Sequence, residues 1–309
     1  MNIHQTSGQW RLGLALSLLT VTLWGILPIA LKVTVKQLDV YTVTWFRFFV
    51  AFGLLATYLG VRGQLPSRER LRSTSSKLLA IAIVFLATNY ICFLKGLAIT
   101  SPANAEVIIQ LAPILLGAGG LFFFKESYSL LQWLGVSIFA LGFTLFFYEK
   151  LTNLITSPTT YLFGSGLVVV GAITWSIYAM AQKQLLRTLS SSHIMVIIYG
   201  TCALIFTPFA TINTVFSLNI FQLLVLLFCA LNTLIAYGSF AESLDHWEAS
   251  RVSSVLASAP IVTLISVDTV SAFAPNLMAP ERITFAGIMG AILVVIGSIT
   301  IALGKTNSK

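Results

Sequence analysis

Three charged residues of the first half lie inside long apolar runs, where a full charge is costly and often serves a function. Arg47 stands four residues into its run, Glu106 stands at a similar depth in a later run, and Lys95 lies four residues before the end of a third. These charges predict a site for a substrate carboxylate or a proton, in which Glu106 titrates and Arg47 or Lys95 pairs with it. The alternative is a structural Arg47–Glu106 ion pair, with Lys95 reaching toward the membrane surface.

Glu106 belongs to a set of residues that would share one face of a helix. Spaced alternately by three and four positions, the members are Ala103, Glu106, Gln110, Pro113 and Gly117. Pro113 and Pro260 each remove a backbone hydrogen bond from the middle of an apolar run. Each proline therefore predicts a fixed kink or, alternatively, a hinge that bends during function.

Several aromatic residues lie deep in the apolar runs, among them Trp24, Trp175, Tyr90 and Tyr237. Rings that carry one polar atom suit an amphiphilic organic solute better than a bare ion. Ordinary helix packing is the alternative for each of them. Together with nearby polar residues, the predicted cavity residues are Trp24, Arg47, Asn89, Tyr90, Glu106, Gln110, Trp175, Tyr178 and Tyr237.

The composition excludes a soluble enzyme and predicts an all-α integral membrane protein. Charged residues make up 9% of the 309-residue chain, against about 25% in an ordinary soluble domain. Hydrophobic residues make up 57%, and the mean hydropathy is +0.91. A helix needs about 20 mostly apolar residues to cross the hydrocarbon core. Ten segments qualify: 12–31, 43–61, 78–99, 103–124, 130–147, 161–181, 194–212, 221–241, 249–272 and 283–303.

The basic residues indicate how these spans are oriented. The joint 62–77 holds Arg62, Arg68, Arg70, Arg72 and Lys77, and most other basic residues fall in joints on the side of the N-terminus. Lys and Arg are enriched in cytoplasmic loops, so both termini are predicted to be cytoplasmic. The net charge of +8 is then a topology signal, and no nucleic-acid partner is expected.

The chain contains an internal repeat. A shift of 151 residues superimposes Trp24 on Trp175 and Lys32 on Lys183, and a shift of 147 superimposes Pro113 on Pro260. The predicted repeats are 12–147 and 161–304, joined by a loop at 148–160. Each holds five spans, and five is odd, so the second repeat must enter the membrane from the opposite side. Inverted repeats of this kind are typical of transporters that work by alternating access.

Short motifs in both halves carry a family resemblance. They are Leu23-Trp24-Gly25, Trp45-Phe46-Arg47-Phe48, Ala103…Ala105…Pro113, Phe124-Lys125-Glu126 and Glu248-Ala249-Ser250-Arg251…Ala259-Pro260. With ten spans in two halves, the chain resembles the drug/metabolite transporter superfamily, specifically its EamA-type members. The resemblance implies a secondary transporter of small organic solutes such as amino acids, often acting as an exporter. It also implies a central cavity lined mainly by spans 1, 3, 4, 6, 8 and 9, with spans 5 and 10 peripheral.

The leading functional hypothesis is a metabolite exporter in the bacterial inner membrane, a monomer or homodimer, with proton or exchange coupling. The alternatives are a membrane scaffold or enzyme that transports nothing, and a channel. No HExxH, GxSxG, GxGxxG or P-loop sequence is present, so we expect no catalytic site, cofactor or metal. The group Glu242, Asp245, His246 and Glu248 is interpreted as a solvated turn rather than a set of metal ligands.

Overall fold

A computed structural model describes residues 6–123, 128–155, 159–275, 277 and 284–303, and its regular elements are helical throughout these ranges. The helices of the first half are α1 Trp10–Thr34, α2 Val40–Val61, α3 Arg68–Ser73, α4 Ser76–Ile99, α5 Pro102–Ile109, α6 Leu111–Phe122 and α7 Leu130–Ile155. Those of the second half are α8 Thr159–Leu185, α9 Ser191–Phe206, α10 Ile220–His246, α11 Ala249–Leu256, α12 Ala259–Phe273 and α13 Phe285–Leu303. Two short 3-10 segments, Thr207–Phe209 and Ile212–Ser217, connect α9 to α10.

Eight helical stretches among the described residues are long and apolar enough to cross a membrane. They correspond to predicted spans one to four and six to nine. Two further apolar stretches, Leu130–Leu145 and Phe285–Ile301, are shorter and correspond to spans five and ten. Because α7 continues to Ile155, the joint predicted at 148–160 is helical over its first eight residues, and residues 156–158 lie outside the described part of the chain.

Two of the predicted spans are broken helices, and a proline explains each break. Helix α5 ends at Ile109, four residues before Pro113, and α11 ends at Leu256, four residues before Pro260. A proline cannot donate a hydrogen bond to the carbonyl four residues earlier, and its ring clashes with that carbonyl. The helix therefore stops at this carbonyl and restarts after a turn, at the same place in both halves.

The break in the first half corrects one expectation from the sequence. The stripe from Ala103 to Gly117 was predicted to lie on one continuous helix, but Gln110 stands in the turn between α5 and α6. The two ends of the stripe therefore belong to separate helices, although Glu106, Gln110 and Pro113 still face one cavity.

The two halves interlock, because each packs its first helix against the third span of the other. Helix α1 packs against α10 and α12, and α8 correspondingly packs against α4 and α6, while α2 pairs with α9 and α7 pairs with α13. Exchanging the halves leaves these pairings unchanged. The centre of the bundle is thus enclosed by helices from both halves.

Helices α7 and α13 approach each other closely at glycines. A Cβ atom on Gly297 would lie 2.5 Å from the backbone nitrogen of Phe139, and one on Gly142 would lie 2.6 Å from that of Val294. Only glycine allows backbones to approach this closely. The pair contacts the rest of the bundle chiefly through α11, so it lies at the periphery.

Candidate substrate site

A cavity of about 80 Å³ lies at the centre of the bundle, between helices of both halves. Eight of the nine predicted cavity residues line it: Trp24, Arg47, Asn89, Tyr90, Glu106, Gln110, Trp175 and Tyr237. Pro113 lines it too, and apolar side chains complete the wall: Leu27, Pro28, Leu31, Phe93, Ile109, Ala112, Leu256 and Ala259. The described lining residues come from spans 1, 3, 4, 6, 8 and 9, as the resemblance implies, and Arg47 of α2 is an addition. None of them belongs to α7 or α13, the helices of spans five and ten.

Arg47 is held at the cavity by helix α10. Its side chain is 3% exposed, and Nε donates hydrogen bonds to Thr233 Oγ1 at 2.9 Å and to the Cys229 carbonyl at 3.3 Å. The guanidinium carbon lies 4.5 Å from the centre of the Tyr90 ring, a distance at which the ring face attracts a cation. The terminal nitrogens Nη1 and Nη2 have no hydrogen-bond acceptor among the described residues. These donors are therefore available to a ligand.

Glu106 is held at the cavity by the break between α5 and α6. Its side chain is 4% exposed, and Oε1 accepts a hydrogen bond of 3.1 Å from Gln110 Nε2, which also donates to the Glu106 backbone carbonyl. Neither Glu106 Oε2 nor Gln110 Oε1 has a hydrogen-bond partner among the described residues. A buried acceptor without a partner is costly, so these oxygens suit the donor groups of a ligand.

Arg47 and Glu106 do not form the structural ion pair that the sequence left open. Among the described residues, no ion pair joins Arg47 to Glu106. Arg47 and Glu106 instead line one cavity while each bonds to a different neighbour. The cavity wall therefore presents one positive and one negative group that do not neutralise each other directly.

Aromatic rings form the wall on the side of α1, α8 and α10. The ring of Trp24 lies 4.9 Å from that of Tyr237 and 5.6 Å from that of Trp175, both edge to face. The indole nitrogen of Trp24 has no acceptor among the described residues. This wall therefore offers flat apolar surfaces together with one hydrogen-bond donor.

Asn89 also lines the cavity, whereas two other candidate residues do not. Asn89 Nδ2 donates to the Gly171 carbonyl at 2.9 Å and so joins α4 to α8. Tyr178 is fully buried outside the cavity lining, and its hydroxyl donates to Met195 Sδ at 3.5 Å. It packs between α8 and α9, in keeping with the packing alternative. Pro260 borders a separate small void behind Gln110.

Lys95, the third charge inside an apolar run, lies away from the cavity. Lys95 Nζ donates to the Tyr41 hydroxyl at 2.8 Å and lies 4.8 Å from the centre of that ring. It is half-buried and absent from the cavity lining. The structure therefore fits the alternative in which Lys95 extends toward the end of the bundle.

A lysine not singled out for a role holds the helix junction beside Glu106. Lys32 Nζ donates to the carbonyls of Leu97, Ala98 and Thr100 at 2.6–3.0 Å. A cation at the end of a helix stabilises its last carbonyls. Lys32 thus fixes the end of α4, directly before α5 begins. The internal repeat could have pointed to Lys32 as a structural residue, because it matches Lys183 of the second half. Lys183 is also a buried lysine, only 2% exposed.

The group Glu242, Asp245 and His246, in the last turns of α10, is half-buried rather than fully solvated. Ligand atoms of Glu242, Asp245 and His246 lie within 4.8 Å of one another. His246 Nδ1 lies 2.7 Å from the Ser7 hydroxyl, and the hydroxyl of Ser191 donates to Glu242. These bonds join the N-terminal segment and α9 to the end of α10, which is a packing role.

Comparison with known proteins places the chain in a family. The EamA-like transporter family matches residues 11–148 and again residues 162–303. An uncharacterized transporter of Haemophilus influenzae is 34% identical over 293 residues, which cover 95% of each chain. The Escherichia coli K12 inner membrane transporter YhbE, also described as uncharacterized, is 34% identical over 96% of this chain and 92% of its own.

More distant relatives extend the likeness. A probable amino-acid metabolite efflux pump of Escherichia coli K12 is 22% identical over 91% of this chain and 92% of its own. A solved crystal structure superposes on the chain with a TM-score of 0.68 at 16% identity, covering 95% of this chain and 98% of the other. At that identity the superposition shows the fold alone.

Of the motifs that carried the resemblance, Phe124-Lys125-Glu126 lies outside the described residues. From the two family matches and the relatives of similar length, the chain belongs to the EamA-like transporter family and is a membrane transporter.

Proposed function

We propose that the protein exports small zwitterionic metabolites, such as amino acids, across the bacterial inner membrane by alternating access to the central cavity. The observation that carries the proposal is the pair of opposite charges on one cavity wall. The free Nη nitrogens of Arg47 suit a substrate carboxylate, which guanidinium binds through two parallel hydrogen bonds. Glu106 Oε2 and Gln110 Oε1 suit a substrate ammonium group.

The charge balance of the cavity favours a zwitterion over an ion of one sign. A substrate with a carboxylate and an ammonium group would pair with both Arg47 and Glu106, whereas a simple anion or cation would leave one of them unpaired. An unpaired buried charge is strongly unfavourable. The rings of Trp24, Trp175 and Tyr237 would then contact the side chain of the substrate.

The size of the cavity supports a cycle in which the site opens and closes. At about 80 Å³ it has room for about five waters at roughly 10–15 Å³ each, whereas typical small-ligand sites measure about 300–1,000 Å³. A site of this size must widen to admit an amino acid. The helix breaks before Pro113 and Pro260 lie in the cavity walls of both halves, and we propose them as the hinges of that movement.

The proposal includes the topology and coupling predicted from the sequence. Helices α7 and α13 complete ten spans in two inverted repeats, with both termini cytoplasmic. Loop 62–77, with its five basic residues, supports this orientation. Location in the inner membrane is supported by the name of the relative YhbE. Glu106 is the proposed site of proton coupling, with exchange of substrates as the alternative. The protein would act as a monomer or homodimer.

A channel is less well supported, because a cavity lined by two opposite charges favours binding over continuous passage. A scaffold or an enzyme would have no need of interlocked halves around such a cavity. Transport should therefore saturate with substrate concentration, which a channel would not show in the same range.

Comparing metabolite export from cells with and without the protein would test the function and identify the substrate. We expect one or a few zwitterionic metabolites to appear faster in the medium of the cells that contain it. Equal export of every metabolite in a broad panel would contradict the proposal. Fusions of a reporter active only in the cytoplasm to residue 309 would test the orientation, and an inactive fusion would overturn it.

A further inference from the structure

A groove of about 370 Å³ lies on the outside of the bundle between α12 and α13, away from the central cavity. Its walls are aliphatic except at one position: Ile261, Leu264, Ile265, Asp268, Ile288, Ala291 and Ile292. Ile265 is 62% exposed and Ile292 is 42% exposed, so these walls face the surrounding medium. In a transporter, that medium is lipid.

Asp268 is an exposed carboxylate at one end of this groove. No described residue donates a hydrogen bond to its side chain or forms an ion pair with it. The Ser271 hydroxyl donates to the backbone carbonyl of Asp268 rather than to its carboxylate. An ionisable group in a membrane span normally has a partner, and the described residues supply none to the Asp268 carboxylate.

The groove is charged toward one end and apolar along the rest of its length, as a lipid molecule is. Ile261 stands at the middle of the span Ala249–Phe273, and Asp268 stands seven residues closer to its end, or about 10 Å along the helix. In a hydrocarbon core about 30 Å thick, that places the Asp268 backbone about 5 Å inside the headgroup boundary, while the isoleucines extend toward the bilayer centre. An anionic headgroup would be repelled by Asp268, and an ammonium group would be attracted.

We propose that this groove binds a phospholipid whose headgroup carries a protonated primary amine, such as phosphatidylethanolamine. The ammonium group pairs with Asp268, and an acyl chain lies along Ile265 and Ile292. A lipid in this position would also support the central cavity. Ile261 and Ala291 border both the groove and the small void behind Gln110. These two side chains would therefore stand between the acyl chain and the void that Gln110 lines.

Lipid retention by the purified full-length protein tests this proposal without relying on transport. The protein is delipidated in detergent, mixed with equal amounts of phosphatidylethanolamine and phosphatidylglycerol of the same acyl chains, and its bound lipids are counted by native mass spectrometry. We expect phosphatidylethanolamine to be retained about fivefold more, which corresponds to an ion pair of about 1 kcal/mol.

Three variants assign the preference to the groove. Asp268→Asn should abolish the preference, and the control Glu69→Gln, which removes an exposed carboxylate elsewhere, should leave it unchanged. Ile292→Trp fills the groove with the carboxylate intact and should lower retention of phosphatidylethanolamine. An unchanged preference in Asp268→Asn would overturn the proposal. So would a dimer cross-linked through Ile292→Cys, because a second copy would then occupy the groove.

Discussion

Arg47 and Glu106 line the same cavity without bonding to each other, because the side chain of each is hydrogen-bonded to a different residue. Thr233 of α10 holds Arg47, and Gln110 at the α5–α6 turn holds Glu106. Two opposite charges at one cavity are stable when each has a polar partner and a ligand can complete the rest. In the proposed function, this separation is what would let a zwitterionic substrate pair with both charges.

Replacing Thr233 by valine should weaken substrate binding. The Thr233 hydroxyl accepts hydrogen bonds from Arg47 Nε at 2.9 Å and from the Tyr90 hydroxyl at 3.4 Å. Valine keeps the shape and removes this acceptor, so the guanidinium loses its orientation. We expect KM for the transported substrate to rise about fivefold, the equivalent of one hydrogen bond of about 1 kcal/mol. Thr269→Val, at an exposed threonine of α12, is the control, and an equal rise there would refute the role of Thr233.

Replacing Lys32 by methionine should destabilise the fold. Lys32 Nζ donates to three backbone carbonyls at the end of α4, whereas Lys36 is exposed and donates to one, that of Leu277. Methionine keeps much of the aliphatic length but leaves those carbonyls without their donor. We expect Lys32→Met to lower the free energy of unfolding by roughly 2 kcal/mol, and Lys36→Met to change it little. Thermal unfolding in detergent measures both, and equal melting temperatures would show that Lys32 is not a cap.

Adding one methyl group at Gly297 should separate α7 from α13. Its Cβ would lie 2.5 Å from the Phe139 backbone nitrogen, whereas a Cβ on Gly238 of α10 would meet no atom within 4 Å. Gly297→Ala is expected to cost about 1–3 kcal/mol through overpacking, and Gly238→Ala should be neutral or slightly stabilising. Thermal unfolding compares the two variants. A stable Gly297→Ala protein would mean that the two helices are not in close contact.

Asp39 should make stability depend on pH in the acid range. Partial burial acts to raise the pKa of Asp39, but hydrogen bonds from the hydroxyls of Thr211 and Thr42 and from the backbone N–H groups of Thr42 and Tyr41 hold it below the ordinary value of 3.8. A carboxylate with a lowered pKa in the folded state stabilises it above the unfolded value, and this contribution disappears as pH falls through the folded pKa.

The comparison of wild type with Asp39→Asn isolates that contribution. Above about pH 4 the wild type should melt at the higher temperature, and the difference should shrink as the pH falls further. A difference that is constant with pH would show that the hydrogen bonds from Thr42 and Thr211 do not depend on the charge of Asp39.

The candidate site was largely predictable because membrane burial makes polar residues conspicuous. Arg47, Glu106 and Gln110 interrupt apolar runs, and no soluble surface competes for them. The repeat superimposes Trp24 on Trp175, and in the structure the centres of the two rings lie 5.6 Å apart. Spacing along a helix and symmetry between halves therefore carried most of the prediction.

The features that the sequence did not predict depend on contacts between residues far apart in the chain, which spacing along one helix does not reveal. Lys32 is bonded to carbonyls of α4 more than sixty residues away, and Tyr178 turns from the cavity toward Met195. The helix break at Gln110 was also missed, because a proline was read as a kink in one continuous helix. In fact the carbonyl of Ile109 lost its donor and the helix stopped there.

Counterflow in liposomes tests the central claim most directly, namely that the Arg47–Glu106 cavity is the substrate site of a transporter. Liposomes with the purified protein are loaded with the exported metabolite, and uptake of the same labelled metabolite from outside is measured. The wild type and the control Glu69→Gln should show saturable uptake. Glu106→Gln should lower it on the order of 10- to 100-fold, the loss of one charged hydrogen bond, while still inserting in the membrane. Wild-type counterflow in Glu106→Gln would contradict the account.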